Sequence, residues 1–261
     1  MMKNKMKQNE LIKITDKEYF AAEGLNASSL KQFAKSPAHY KAHLEAPNKR
    51  STAFDVGSLT HSLILEGKQQ WEVIEGRRNA NIVKEAIAEC EERGNLAIKP
   101  GEDADILAMN ESVKAHGFGK YLGKDPERSE LAGFAVDPDT GLLLKAKFDY
   151  APATGSVLFD LKTCQDASER DFKRSIWKYG YDVQAVHYLH VAKLCGMEYE
   201  QFIFVAVEKS APYGTNAIML DSESLERAEN KYRLLLEHFK ACKESENFSH
   251  CYGDDLKQIS I

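Results

Sequence analysis

A chain of 261 residues that is 43% hydrophobic and 10% aromatic can bury one substantial core, and it holds no apolar run near the roughly 20 residues that cross a bilayer. The polar start from Met1 to Glu10 lacks the apolar stretch of a secretory signal, and the five cysteines (Cys90, Cys164, Cys195, Cys242, Cys251) include no C-x-x-C pair, so a cytoplasmic protein without disulfide framework or tight zinc site is expected. A net charge of -5 argues against binding nucleic acid by bulk charge, although association depends on where charge sits rather than on its sum.

Residues 1–24 read as a polar tail and lead-in. Asn26 then caps a short helix bearing Leu30, Phe33 and Ala34. Ser36 offers a second N-cap with Pro37 as the first helical residue, and Tyr40 and Leu44 continue that helix. Residues 47–52 read as a loop, and 54–66 as a helix with Val56, Leu59, Leu63 and Ile64 on its apolar side. The span 80–121 reads as mostly helical, a candidate insertion broken at Pro100 and Gly101. Residues 130–136, 141–150 and 156–163 are strand-like, and their short turn-rich connectors predict three sequential antiparallel strands. Helices return at 169–176 and 181–195, strands at 201–207 and 216–220, and Asp221 caps a last amphipathic helix to about Cys242. This order describes a single α/β domain over 25–261, with a mixed central sheet flanked by helices.

Alternation along 156–163 puts Asp160 and Lys162 on one face and Val157, Phe159 and Leu161 on the other, which reads as core. Alone, a D-x-K pair is no more than a solvated strand edge. The preceding strand carries Asp149 near its end, and the connector 151–155 predicts a hairpin that sets Asp149 beside Leu158 and diagonal to Asp160. Two carboxylates converging from adjacent strands, with an ammonium close by, make a site for a hard cation such as Mg2+ or Mn2+. Lys162 would hold or help deprotonate an attacking water.

Asp149 followed by Asp160-Leu-Lys162 resembles the PD-(D/E)xK nuclease motif, without a Pro before Asp149. Gly57 to His61 resembles the upstream G-x-x-x-H element of RecB-type nucleases, and Gln184 to Tyr188 their downstream Q-x-x-x-Y element. Segments 25–40, 140–149, 160–168 and 179–181 are similar to the RecE (exodeoxyribonuclease VIII) family. That resemblance implies a restriction-endonuclease-like PD-(D/E)xK core. It implies a metal held by His61, Asp149, Asp160 and the backbone carbonyl of Leu161, with Lys162 orienting water. Gln184 and Tyr188 would contact the scissile strand or support Lys162. The implied activity is a Mg2+-dependent exonuclease, for which Mn2+ can substitute, acting 5′ to 3′ on linear duplex DNA ends. It would leave 3′ overhangs for a RecT-like single-strand annealing partner. A homo-oligomer is implied, with a tetrameric ring as the form.

The bland alternatives differ residue by residue. Taken singly, His61 is a hydrogen-bonded helix histidine, and Gln184 and Tyr188 a helix face partly in the core. Glu130 reads as an ordinary exposed strand-end residue more readily than as a further carboxylate of the site. His187 and His190 point away from Tyr188 on the helix, and Ser28, Ser29 and Ser36 read as caps. Trp71 and Trp177 read as packing residues, with contact to DNA the minor reading for Trp177. Basic stretches occur at Lys31, Lys35, Lys41, Lys49 and Arg50, at Arg77 and Arg78, and at Arg170, Lys173, Arg174 and Lys178. Of these, Lys35, Arg174 and Lys178 are the candidates for touching DNA. An iron–sulfur nuclease of the AddB type is disfavoured, because no Cys precedes His61 and only Cys242 and Cys251 lie near the end. A DNA nuclease of different polarity, an endonuclease and a non-catalytic DNA-binding module are the remaining alternatives.

Overall fold

Capping residues set where the helices begin. Asn26 Oδ1 accepts from the Ser29 N–H at 2.8 Å and starts α2 (Ala27–Phe33), and Ser36 Oγ accepts from the His39 N–H at 3.2 Å ahead of α3 (Pro37–Glu45). Asp221 does the same for α9 (Ser222–Glu244). The computed structural model describes residues 9–46, 52–77 and 79–251, with side chains of α4 (Thr52–Glu66) from residue 56 onward. The loop expected before α4 and the basic residues Lys49, Arg50 and Arg78 lie outside the described residues.

The lead-in is built into the domain. Its segment β1 (Leu11–Lys13) pairs antiparallel with β4 (Ser129–Val136), and α1 (Asp16–Ala21) follows, started by a capping box between Thr15 and Glu18. Three residues are too few for a periodic signal, so only the pairing to β4 reveals this strand.

The central sheet has six strands in the order β1-β4-β5-β6-β7-β8. β4, β5 (Leu143–Tyr150) and β6 (Val157–Cys164) run antiparallel, as the turn-rich connectors predict. β6 and β7 (Gln201–Glu208) are parallel, which requires a crossover, supplied by α7 (Glu169–Tyr179) and α8 (Tyr181–Leu194). β8 (Thr215–Met219) closes the edge antiparallel to β7. The sheet is mixed and flanked by helices, as expected.

Both faces of its middle are covered. Leu144, Ala146, Phe148, Leu158, Phe202 and Phe204 pack with residues of α2, α7, α8 and α9. Phe159, Leu161, Ile203, Val205 and Val207 pack on the other face with Leu59 of α4 and with Ile106, Met109 and Val113. Those last three belong to α6 (Glu102–Ala115), so this part of 80–121 is a core layer rather than an appendage. Within the same span α5 (Asn81–Glu92) precedes β3 (Leu96–Ile98), which pairs parallel with β2 (Trp71–Val73) in a small sheet that helical periodicity did not foretell. Trp71 is buried there, as expected. Among the described residues no helix is long and apolar enough to cross a membrane.

One buried polar cluster ties the β4–β5 turn to α8 and α9. Asp137 is fully buried and accepts hydrogen bonds from the N–H and hydroxyl of Thr140, from His190 Nε2 at 2.7 Å and from Arg233 at 3.0 Å. Burial works to raise its pKa, but these donors outweigh it and hold the carboxyl below its ordinary value. His190 is lowered by burial and stays neutral, donating from Nε2 while Nδ1 faces Arg233 at 3.4 Å. Asp137→Ala strands four donor groups on three residues, so a loss of about 3 kcal/mol in urea-induced unfolding is expected. A loss below about 1 kcal/mol would show the cluster to be incidental.

Candidate active site

β6 is where the chemistry begins. Asp160 and Lys162 share its face with Leu158, and the crossover helices cover that face, so Asp160 is only 1% exposed. Its Oδ1 accepts from Gln184 Nε2 at 2.8 Å, and its buried Oδ2 accepts no hydrogen bond but forms an ion pair with the Lys162 ammonium. Gln184 Oε1 in turn accepts from Lys31 Nζ at 3.2 Å. A chain of contacts therefore runs Lys162–Asp160–Gln184–Lys31. Gln184 supports Asp160 rather than Lys162, which corrects one of the two roles expected of it. Both ammonium groups lie over Tyr181, at 5.2 Å for Lys162 and 5.4 Å for Lys31.

Backbone geometry places this chain. Gly180 joins α7 to α8 at φ +63, a left-handed conformation suited to glycine, and a Cβ there would meet the Lys31 stem at 3.0 Å. The sharp joint brings Tyr181 and Gln184 over β6. α4 passes the other end of the strand, where a Cβ on Gly57 would lie 3.4 Å from Thr163 Oγ1. One helical turn later His61 reaches Asp149, with Nδ1 3.6 Å from Oδ2.

β5 and β6 pair at Tyr150 opposite Phe159. That register, continued, sets Asp149 opposite Asp160, two residues from the diagonal arrangement expected from the hairpin. The Asp149 carboxylate stands in for a strand carbonyl there, accepting from the Leu161 N–H at 2.7 Å. Glu130 joins the same place from β4, in a left-handed conformation at φ 55 that is uncommon for a non-glycine residue. One ligand atom each from His61, Glu130 and Asp149 lies within 4.8 Å of the others. Glu130 is thus a member of the cluster and not the ordinary strand-end residue that alternation favoured. Lys147 holds it at 2.6 Å and also pairs with Asp16 of the lead-in.

The electrostatics suit a cation. Burial pushes the His61 imidazole down to about 4, with Lys162 adding to the effect, so a lone pair is free at neutral pH. Burial first and Asp160 second push Asp149 up to about 7. Glu130 is raised by burial and by Asp149. These acids resist ionising together, and a divalent cation removes that conflict. Burial alone would lower Lys162, but Asp160 and Asp149 hold it above its ordinary value. Lys31 is pushed down to about 8, by burial and then by Lys162.

Asp149, Asp160, Lys162, Gln184 and Tyr188 line one open cleft of about 360 Å³, together with Ser28, Lys31 and Tyr181. The Tyr188 ring packs 5.4 Å from Phe148 and 5.9 Å from Phe202, and burial raises its phenol well above the ordinary value, so it stays neutral. Ser28 lines the cleft wall from the first turn of α2, and Ser28 and Ser29 are not the caps expected of them, because Asn26 caps that helix. Lys35, Arg174 and Lys178 are exposed and outside the lining: Lys35 donates to Gln32, Arg174 pairs with Asp171, and Lys178 stands over Tyr179. His187, expected only to point away from Tyr188, is a core residue between the Lys145 carbonyl and Tyr232. Lys31 was missed as a site residue. Its signal was its position one turn after Ala27, inside the segment that resembles RecE.

Residues 26–254 match a family described as a PDDEXK-like domain of unknown function, DUF3799. The chain belongs to this family. Among solved structures, a protein of Eubacterium rectale provisionally called an exonuclease aligns over 90% of this DUF3799 chain and 88% of its own, with TM-score 0.64 and 18% identity. A phage-related exonuclease of Haemophilus somnus aligns over 87% of this chain and 98% of its own at 15% identity, with a TM-score of 0.33. The first likeness is one of fold, and the second is too loose to support an argument. No curated protein matches the chain in sequence.

Proposed function

We propose that this DUF3799 protein is a divalent-metal-dependent deoxyribonuclease that degrades linear duplex DNA from its ends. One observation carries the reading: in a PD-(D/E)xK fold a neutral imidazole meets carboxylates that resist ionising together, and Asp149 and Asp160 among them line an open cleft with a lysine. Three carboxylates and one imidazole form a donor set suited to Mg2+ or Mn2+. His61, Asp149, Asp160 and the Leu161 carbonyl would hold the ion, with Glu130 added to the set. When bound, the metal supplies charge stabilisation on the scissile phosphate and acidifies water. Lys162 orients the attacking water. With its carboxylate neighbours committed to a cation, burial is the first remaining influence on Lys162 and favours the neutral amine that can take a proton. Gln184 fixes the Asp160 rotamer, and the neutral Tyr188 phenol can donate to a phosphate oxygen.

Polarity and context rest on the RecE-like segments 25–40, 140–149, 160–168 and 179–181. On that support the enzyme works 5′ to 3′, uses Mg2+ with Mn2+ as substitute, and leaves 3′ overhangs for a RecT-like annealing protein. It does so as a homo-oligomer, with a tetrameric ring as the form. Linear duplexes labelled at the 5′ or 3′ end, alongside circular DNA, test this with Mg2+, Mn2+ or EDTA. Mg2+-dependent release of 5′ nucleotides from linear DNA alone is expected. Attack on circles would make it an endonuclease, and inactivity with either metal would leave a DNA-binding module.

Glu130 gives a separate check. Glu130→Gln should weaken Mn2+ binding about 10–100-fold by titration calorimetry, as loss of a supporting ligand does. Unchanged affinity would reduce Glu130 to a partner of Lys147.

A further inference from the structure

The end of α7 departs from the burial pattern of its own helix. Phe172 and Ile176 are buried, yet Trp177 and Tyr179 are 64% and 48% exposed, with exposed Lys178 between them. Tyr179 is continuous with the cleft. Its ring centroid lies 5.6 Å from that of Tyr181, which lines the cleft beneath the Lys162 and Lys31 ammonium groups. Lys178 Nζ sits 5.2 Å from the Tyr179 centroid. Exposed Lys173 and Arg174 precede Trp177 by four and three positions, which puts them on its side of the helix. From Tyr181 in the cleft back through Tyr179, Lys178 and Trp177 to Arg174 and Lys173, rings and cations therefore follow one another along the chain, with Tyr179 and Lys178 the pair in contact nearest the cleft.

That succession suits unpaired DNA, whose bases stack on ring faces while its phosphates meet ammonium and guanidinium groups. Paired bases within a duplex are already stacked and offer a ring no face. An apolar protein partner would have to desolvate the interspersed charges, which interface cores avoid.

We propose that residues 177–179, at the end of α7, form a stacking platform for unpaired bases of the DNA strand that passes through the cleft. The inference rests on the nuclease reading above and adds where the strand runs. Of the two tryptophans, Trp71 is 7% exposed, so Trp177 is the one a ligand can reach from solvent.

The test is binding of a short oligodeoxythymidine in EDTA, followed by tryptophan emission. Quenching is expected, and Trp177→Ala should remove it. Tyr179→Ala should weaken binding roughly tenfold, about 1.4 kcal/mol, while Tyr179→Phe stays within about twofold. An abasic chain of equal charge should bind weakly and leave emission unchanged. These side chains are exposed, so the variants should fold, as circular dichroism would verify. Equal binding by Tyr179→Ala, or equal quenching by the abasic chain, would overturn the platform. So would a loss of oligomer mass in the variants without a loss of oligonucleotide affinity, which would assign the patch to a contact between copies. Assaying the same samples with Mg2+ on linear duplex separates the two readings. Cleavage with unaltered variant binding sinks the platform alone, whereas stacking without cleavage sinks the nuclease reading and leaves a strand-binding surface.

Discussion

Asp160→Asn is expected to cleave linear DNA at least about a thousandfold more slowly than the native protein at saturating Mg2+, equivalent to about 4 kcal/mol of transition-state stabilisation. Asn keeps the shape of the side chain and can still accept from Gln184 Nε2 through its own oxygen. It removes the charge that a cation would bind and that balances Lys162. The ammonium retains Asp149 as a neighbouring charge, so the fold should survive. DNA retention in a gel-shift assay should persist, because the phosphate contacts of a nuclease track are spread over many cations. A rate loss under about tenfold would remove Asp160 from the metal set. Lost binding together with lost activity would make its role one of DNA docking.

Asp149→Asn should be more stable than the native chain without metal at about pH 8, by roughly 5 °C in Tm. The sign follows from proton counting. Asp149 has its folded pKa raised from 3.8 to about 7, so between those values the native state holds a proton that the unfolded chain has released. Native stability therefore falls as pH rises through that window, and the variant lacks this loss. His61 works in the opposite sense between about 4 and 6.5, where the unfolded chain gains a proton that the buried imidazole refuses. Comparing the variant with the native protein at each pH cancels much of the His61 contribution. Mg2+ should restore the native protein at about pH 8, by about 2.7 kcal/mol at a hundredfold excess over Kd, and should do little for the variant. Equal pH profiles for the two proteins would mean that Asp149 is not held against its own ionisation. A site that is costly without its ion, and relieved by it, is the usual price of function over stability.

Much of this was legible in the sequence because its causes are local. Asn26, Ser36, Pro37 and Asp221 announce helix starts through hydrogen bonds made within one turn. Alternation along β6 assigns Phe159 and Leu161 to core and Asp160 and Lys162 to the opposite face, because successive strand residues point to opposite sides. The residues of the upstream and downstream motifs could be named from order alone. What alternation could not supply was the environment of that opposite face. A D-x-K on an edge strand stays solvated, and β6 became central only through pairing with β5 on one side and β7 on the other.

The errors have the same origin. Glu130 was read as an exposed strand end because its left-handed backbone and its neighbours His61 and Asp149 come from segments far apart in the chain. Lys31 was counted among basic surface residues because nothing in α2 says that Gly180 and Gln184 will pass over it. β1 was invisible for want of length. The sequence by itself determined the elements, the order of the motifs and which residues carry charge toward one face, since caps, turns and alternation act over a few residues. Only the tertiary structure decided that Asp149 comes close enough to Asp160 to feel its charge, that Glu130 joins Asp149 and His61, that Gln184 holds Asp160, and that both faces of the strand are covered. Those depend on pairings and crossovers between distant segments, where burial strips water from the charges and so gives them their chemistry.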